Sequence, residues 1–280
     1  MQPIGIMQGR LSPPVGGRIQ SFPVATWREE FTRAREAGLA CIEWIYEVET
    51  EAANPMATEA GITEIRRLAG ETGVGVWSVC ADYYMAERLI APGGALREGA
   101  VAHLRWLIRQ AGSLGVRYMV LPFVDSSTLQ SDAEADSLVG LLRSLVPLAE
   151  ETRVELHLES DLSPRALAEI LAALRHPLVR ANYDIGNRAS LGYAPAEELP
   201  LLGNALGSVH VKDRLLGGGT VPLGAGAADL STCFRLFGSM GFAGPYILQV
   251  ARESGLSEIA LAIRNRESVE RWMTAAKSPR

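Results

Sequence analysis

Four polar side chains interrupt apolar stretches of the second half of the chain: Glu159, Asp184, His210 and Gln249. Two carboxylates, one imidazole and one carboxamide oxygen make a hard, oxygen-rich donor set for one divalent cation. Mn2+, Mg2+, Co2+ and Zn2+ all suit such a set. The neighbouring residues are His157-Leu-Glu159, Asn182-Tyr-Asp184, His210-Val-Lys212-Asp213-Arg214 and Ile247-Leu-Gln249. Side chains on a strand alternate in direction, so Glu159 shares a face with His157, Asp184 with Asn182, and His210 with Lys212. The competing reading is plain: a charge at a strand end is often solvated, and a lone His in an apolar strand is as often a hydrogen-bonded core residue, His157 included. Glu43 stands alone in an apolar run and reads either as a site residue or as a buried carboxylate paired with an arginine. Arg10, Lys212 and Arg214 can grip a phosphate or carboxylate, Arg in bidentate fashion, or pair with surface acids. Gly217-Gly-Gly219 and Gly224-Ala-Gly226 lack a following Lys-Ser/Thr and read as loop, not as a phosphate cradle.

For the four donors to meet, the elements carrying them must converge. Apolar runs of strand length occur at Ile4–Gly9, Cys41–Tyr46, Val76–Asp82, Tyr118–Val124, Val154–Glu159, Val179–Ile185, Ser208–Lys212 and Tyr246–Val250. Between them lie helical patterns at Thr26–Ala37, Thr63–Thr72, Leu96–Ser113, Glu134–Thr152, from Pro164 behind the cap Ser163, Ala196–Leu202, Asp229–Phe237 and Ser257–Ala275. Eight βα repeats without a break in composition predict one α/β domain over residues 1–280, a single (β/α)8 TIM barrel. An open doubly wound sheet would carry a Gly-rich phosphate turn after its first strand, and Ile4-Gly-Ile-Met-Gln-Gly-Arg10 is not one. In such a barrel the chemistry sits at the C-terminal strand ends, where Glu159, Asp184, His210 and Gln249 come from four consecutive strands.

Composition narrows the partners. The 280 residues carry 27 Lys+Arg against 32 Asp+Glu, a net charge of −5, which argues against nucleic acid as a partner. No apolar run approaches the roughly 18 residues of a membrane span. Cys41, Cys80 and Cys233 form no CxxC and suit free thiols in a reducing compartment, so a cytoplasmic location is expected.

The motifs together resemble the xylose isomerase-like TIM-barrel superfamily, in its sugar-phosphate isomerase/epimerase branch. The resemblance rests on Ile4-Gly-Ile-Met-Gln-Gly-Arg10-Leu, Ile42-Glu43-Trp44, Ser78-Val-Cys-Ala-Asp82-Tyr, His157-Leu-Glu159, Asn182-Tyr-Asp184-Ile-Gly-Asn187, His210-Val-Lys-Asp-Arg214 and Gly244-Pro-Tyr-Ile-Leu-Gln249. It implies one divalent metal ion held by Glu159, Asp184, His210 and the residue at 249, and a small-molecule sugar or sugar phosphate as substrate. It further implies Glu159 and the residue at 249 as the catalytic pair, with Asn187 and Arg214 at substrate-binding positions. Glu43, His157, Lys212 and Arg10 complete the expected substrate-binding set. Homo-oligomers are expected by analogy alone.

Position 249 departs from the pattern, because the superfamily places a second Glu there. Gln249 can offer an oxygen to a metal but accepts no proton at neutral pH. A one-base isomerase needs only Glu159; an epimerase returns the proton on the opposite face and needs a replacement acid, for which Lys212, Asp213 and Glu253 are the candidates. An inosose dehydratase-like lyase and a metal-binding barrel with little catalysis are the alternatives. A trinuclear abasic-site nuclease of the same superfamily would need more His ligands than the 4 present.

Overall fold

The computed structural model describes residues 2–276. Eight parallel strands, β1 (Ile4–Met7), β2 (Cys41–Ile45), β3 (Gly75–Cys80), β4 (Tyr118–Phe123), β5 (Glu155–Ser160), β6 (Val179–Asp184), β7 (Leu206–Val211) and β8 (Tyr246–Leu248), close into a barrel in the order β1-β8-β7-β6-β5-β4-β3-β2. Each strand is short and buried on both faces, which is why the runs read as continuously apolar instead of alternating. Helices α1 (Glu29–Glu36), α2 (Glu59–Thr72), α3 (Glu98–Leu114), α4 (Asp132–Thr152), α5 (Pro164–Leu174), α6 (Pro195–Leu202), α7 (Leu230–Ser239) and α8 (Glu258–Ala275) follow the strands in turn. The expected α/β barrel is therefore the fold. No helix among the described residues is long and apolar enough to cross a membrane.

Caps set the helix ends. Ser131, Ser163, Asp229 and Ser257 each accept a backbone N–H from the first turn of the helix behind them. The sequence pattern starts the second helix at Thr63. It starts four residues earlier because Thr58 accepts from Gly61 N, and Gly61 can lie under the Pro55 carbonyl only without a Cβ, which would sit 2.0 Å from that oxygen. At α7, Gly238 does not end the helix, which continues through Ser239.

The barrel interior is polar as well as apolar. Ser78 on β3, Tyr118 on β4, His157 on β5, Asn182 on β6 and Ser208 on β7 point inward and are buried. Ser208 Oγ sits 2.8 Å from both His157 Nδ1 and Asn182 Nδ2, and the Tyr118 and His157 rings stack at 4.4 Å. Beyond the C-terminal end of β7 the chain folds into a small antiparallel hairpin, Asp213–Arg214 against Thr220–Val221. Short helical turns follow β3 (Tyr83–Ala86) and β6 (Ile185–Ser190).

Candidate active site

Glu159, Asp184 and His210 end or nearly end β5, β6 and β7. They bring one ligand atom each to within 4.8 Å of one another, all three buried. Glu43 fixes the geometry from below. His210 Nε2 lies 2.6 Å from Glu43 Oε1, and both residues are fully buried, so the ring donates Nε2–H to the carboxylate and turns Nδ1 toward the other two acids. Nδ1 is 3.6 Å from Glu159 Oε2 and 3.7 Å from Asp184 Oδ2, beyond hydrogen-bond range, and it has no hydrogen-bond partner. A buried imidazole nitrogen that faces two carboxylate oxygens with nothing to bond fits a cation-binding position. The donor set suits a divalent metal.

The remaining contacts orient these oxygens. Asp184 Oδ1 accepts from Asn187 N at 2.7 Å and so caps the turn Ile185–Ser190, which leaves Oδ2 toward the centre. Asn187 Nδ2 donates to Glu159 Oε1 at 2.7 Å, and Arg214 Nη1 donates to Asn187 Oδ1 at 2.9 Å. Lys212 Nζ lies 3.4 Å from Asp184 Oδ2 and 3.1 Å from Gln249 Oε1. Gln249 Nε2 donates to Gln20 Oε1, and Gln20 Nε2 donates to Asp82 Oδ2. This chain fixes the amide of Gln249 with its oxygen on the side of Lys212 and Asp184.

Charges shift accordingly. Burial pushes the Glu159 carboxyl up to about 7, Asp184 adding to the rise and His210 and Lys212 opposing it. Burial would raise Asp184 as well, but the Lys212 ammonium and the His210 ring hold it down at about 2. Burial alone would lower His210; the Glu43 carboxylate against Nε2 overrides it and holds the imidazole well above its usual range.

The site opens into a cavity of about 410 Å3 at the C-terminal ends of the strands, lined among others by Arg10, Arg18, Gln20, Asp82, Asp125, Asn187, Lys212, Arg214 and Gln249. A scan of family models matches residues 31–274 to the xylose isomerase-like TIM barrel. The chain belongs to that family. It is 26% identical over 274 residues to L-ribulose-5-phosphate 3-epimerase UlaE of Salmonella heidelberg, covering 94% of this chain and 96% of that protein. In fold it is similar to an L-ribulose 3-epimerase (17% identity, TM-score 0.73, 99% of this chain and 96% of that one). It is also similar to a xylose isomerase-like TIM barrel protein of Mycobacterium smegmatis in complex with magnesium (19% identity, TM-score 0.69, 99% and 98%). This kinship makes the chain an enzyme of the isomerase class.

Within this xylose isomerase-like barrel, two residues expected to bind substrate stand elsewhere. Glu43 does not reach the cavity: it is sealed beneath His210 and meets a histidine, not an arginine. His157 shares the inward face with Glu159 but lies two residues deeper. Its Nε2 bonds Glu155 Oε2 at 3.0 Å, and it lines a different cavity of about 450 Å3 with Pro3, Glu155, Arg180 and Gly207, all within a residue or so of strand starts. Alternation gave its face correctly; depth along the strand put it at the opposite end of the barrel. Arg10 lines the active-site cavity but is tied to the backbone carbonyls of Val250 and Ile19 and to Gln20 Oε1. Sequence reasoning missed Gln20, Arg18 and Glu47, which come from loops with no periodicity to place them. Asp82 is a strand-end acid of the same kind as Asp184, and that position was the available signal.

Proposed function

We propose that the chain is a divalent-metal-dependent sugar isomerase or epimerase in which Glu159 takes a proton from the carbon beside a carbonyl. The observation that carries this reading is the His210 ring, pinned at Nε2 by Glu43 and presenting a buried, unpartnered Nδ1 to Glu159 and Asp184. Glu159, Asp184 and His210 would hold the ion, with Gln249 Oε1 as the fourth donor beside Asp184. A bound divalent ion would supply positive charge opposite the oxyanion that forms when the proton leaves.

The protein's own groups then divide the work. Glu159 is the base, its buried carboxylate standing at the end of β5 beside Asp184 and His210. Asn187 Nδ2 holds Glu159 Oε1 at 2.7 Å and so fixes the carboxylate, with Oε2 toward His210 Nδ1. Arg214 would bind a substrate oxygen through its remaining Nη2, and Arg10 fixes the β1 loop that closes the cavity from the side. Of the three candidate acids for an epimerase lacking a second Glu, two are committed elsewhere. Asp213 accepts three backbone N–H groups, and Glu253 pairs with Arg264 outside the cavity. Lys212, bonded to Gln249, remains. The test is solvent deuterium exchange into ketoses with Mn2+ or Co2+ added. Glu159→Gln is expected to lower the exchange rate by about 1000-fold; full activity in that variant would remove Glu159 from the role.

A further inference from the structure

Resting on the reading above, we infer that the active site takes an uncharged ketose and not a phosphorylated one, because the groups that would hold a phosphate in this cavity are already occupied by the protein itself. Three guanidiniums line the cavity, and each already bonds the protein. Arg10 uses Nε on the Val250 carbonyl, Nη1 on the Ile19 carbonyl and Nη2 on Gln20 Oε1. Arg18 is neutralised by Glu47 and Glu49 at 3.4 and 3.5 Å and donates to Ser21 Oγ. Arg214 uses Nε on the Gly218 carbonyl and Nη1 on Asn187 Oδ1, which leaves Nη2 for one contact with a substrate hydroxyl. Lys212 already spans Asp184 and Gln249.

The backbone gives the same answer. Phosphates are held in barrels of this architecture by loop N–H groups after the seventh and eighth strands. Here the loop after β7 does form a concave set of N–H donors, at Gly224, Gly226 and Ala228. The carboxylate of Asp213 fills it, with Oδ2 at 2.8 and 3.0 Å from the first two and Oδ1 at 3.0 Å from the third. Asp213 is fully buried, and a Cβ on residue 226 would lie 2.2 Å from its Oδ1, so the fit leaves no room for a second anion. The glycines upstream are no freer: Gly217 N bonds the Ser190 carbonyl and Gly218 N the Leu215 carbonyl. Asp125 lines the cavity as well and would repel a dianion. A phosphoryl group would lose its water without meeting an unengaged guanidinium to grip it or an open N–H concavity in the β7 loop.

The experiment presents the Mn2+-loaded protein with matched pairs, ribulose and ribulose 5-phosphate, psicose and psicose 6-phosphate. Deuterium exchange and calorimetric binding are followed together, with inorganic phosphate as a competitor. The expected result is exchange with the free ketoses, a kcat/KM at least about 100-fold lower for the esters, and no competition by millimolar phosphate. A preference for the phosphorylated partner, or displacement of a bound ketose by inorganic phosphate, overturns the inference and leaves the isomerase reading in place. Binding of free ketoses alone without exchange supports the inference and removes the isomerase reading. Absence of binding by either member of both pairs overturns the inference together with that reading.

Discussion

At the scale of single residues, the site depends on a carboxylate that touches no substrate. Glu43 holds the Nε2 proton of His210, and so keeps Nδ1 turned toward Glu159 and Asp184. Partners of this kind alter metal affinity by about 10- to 100-fold when changed. Glu43→Gln, which keeps an acceptor but loses the charge, is expected to weaken Mn2+ binding by about 10-fold, and Glu43→Ala by about 100-fold. Calorimetric titration on variants with unchanged circular dichroism measures both; unaltered affinity in Glu43→Ala would separate Glu43 from the site. The donor residues themselves were legible in the sequence because charge at the end of an apolar run is costly unless it is used. The Glu43 pairing was not, since its His partner lies 167 positions away on a strand across the barrel. Nor was the depth of His157, because alternation fixes a face and not a level along the axis.

At the scale of elements, strands and helices were readable from period, caps and glycines, and their limits moved by a few residues. Loops were not, because their conformation comes from contacts that no local pattern encodes. The β1 loop shows this. Glu30, on the first turn of α1, accepts Gly9 N at 3.1 Å and Leu11 N at 3.2 Å, and so anchors the segment that presents Arg10 and Gln20 to the cavity. Burial pushes the Glu30 carboxyl up to about 7, against the pull of those N–H groups. The folded chain therefore keeps a proton that the unfolded chain, at its ordinary 4.5, releases. Stability from this group is full below pH 4.5 and is lost as pH rises through 7, by at most about 3 kcal/mol. Glu30→Gln accepts only one of the two N–H groups and is expected to be less stable at every pH, with that slope removed. Urea denaturation at pH 5 and pH 7 measures it; an equal slope in both proteins would contradict the assignment.

At the scale of the whole molecule, the site exists because the barrel closes. The last pairing is that of β1 with β8, and Gly5 sits in it, level with Cys41 on one side and Ile247 on the other. A Cβ there would lie 2.4 Å from Cys41 Sγ and 2.8 Å from Ile247 Cδ1. Gly5→Ala is expected to cost about 1–3 kcal/mol through overpacking, read as a lower Tm; an unchanged Tm would show that the seam yields to a methyl group. Closure carries Glu159, Asp184, His210 and Gln249 from four consecutive strands to one mouth, and it was the repeat of βα units, not any one motif, that made this convergence legible. The central claim is that these groups hold a divalent cation. Titration of the metal-stripped protein with Mn2+, followed by calorimetry, tests it most directly. One ion per chain is expected, with binding lost in Asp184→Asn and His210→Ala; absence of binding, or binding indifferent to both substitutions, would contradict the account.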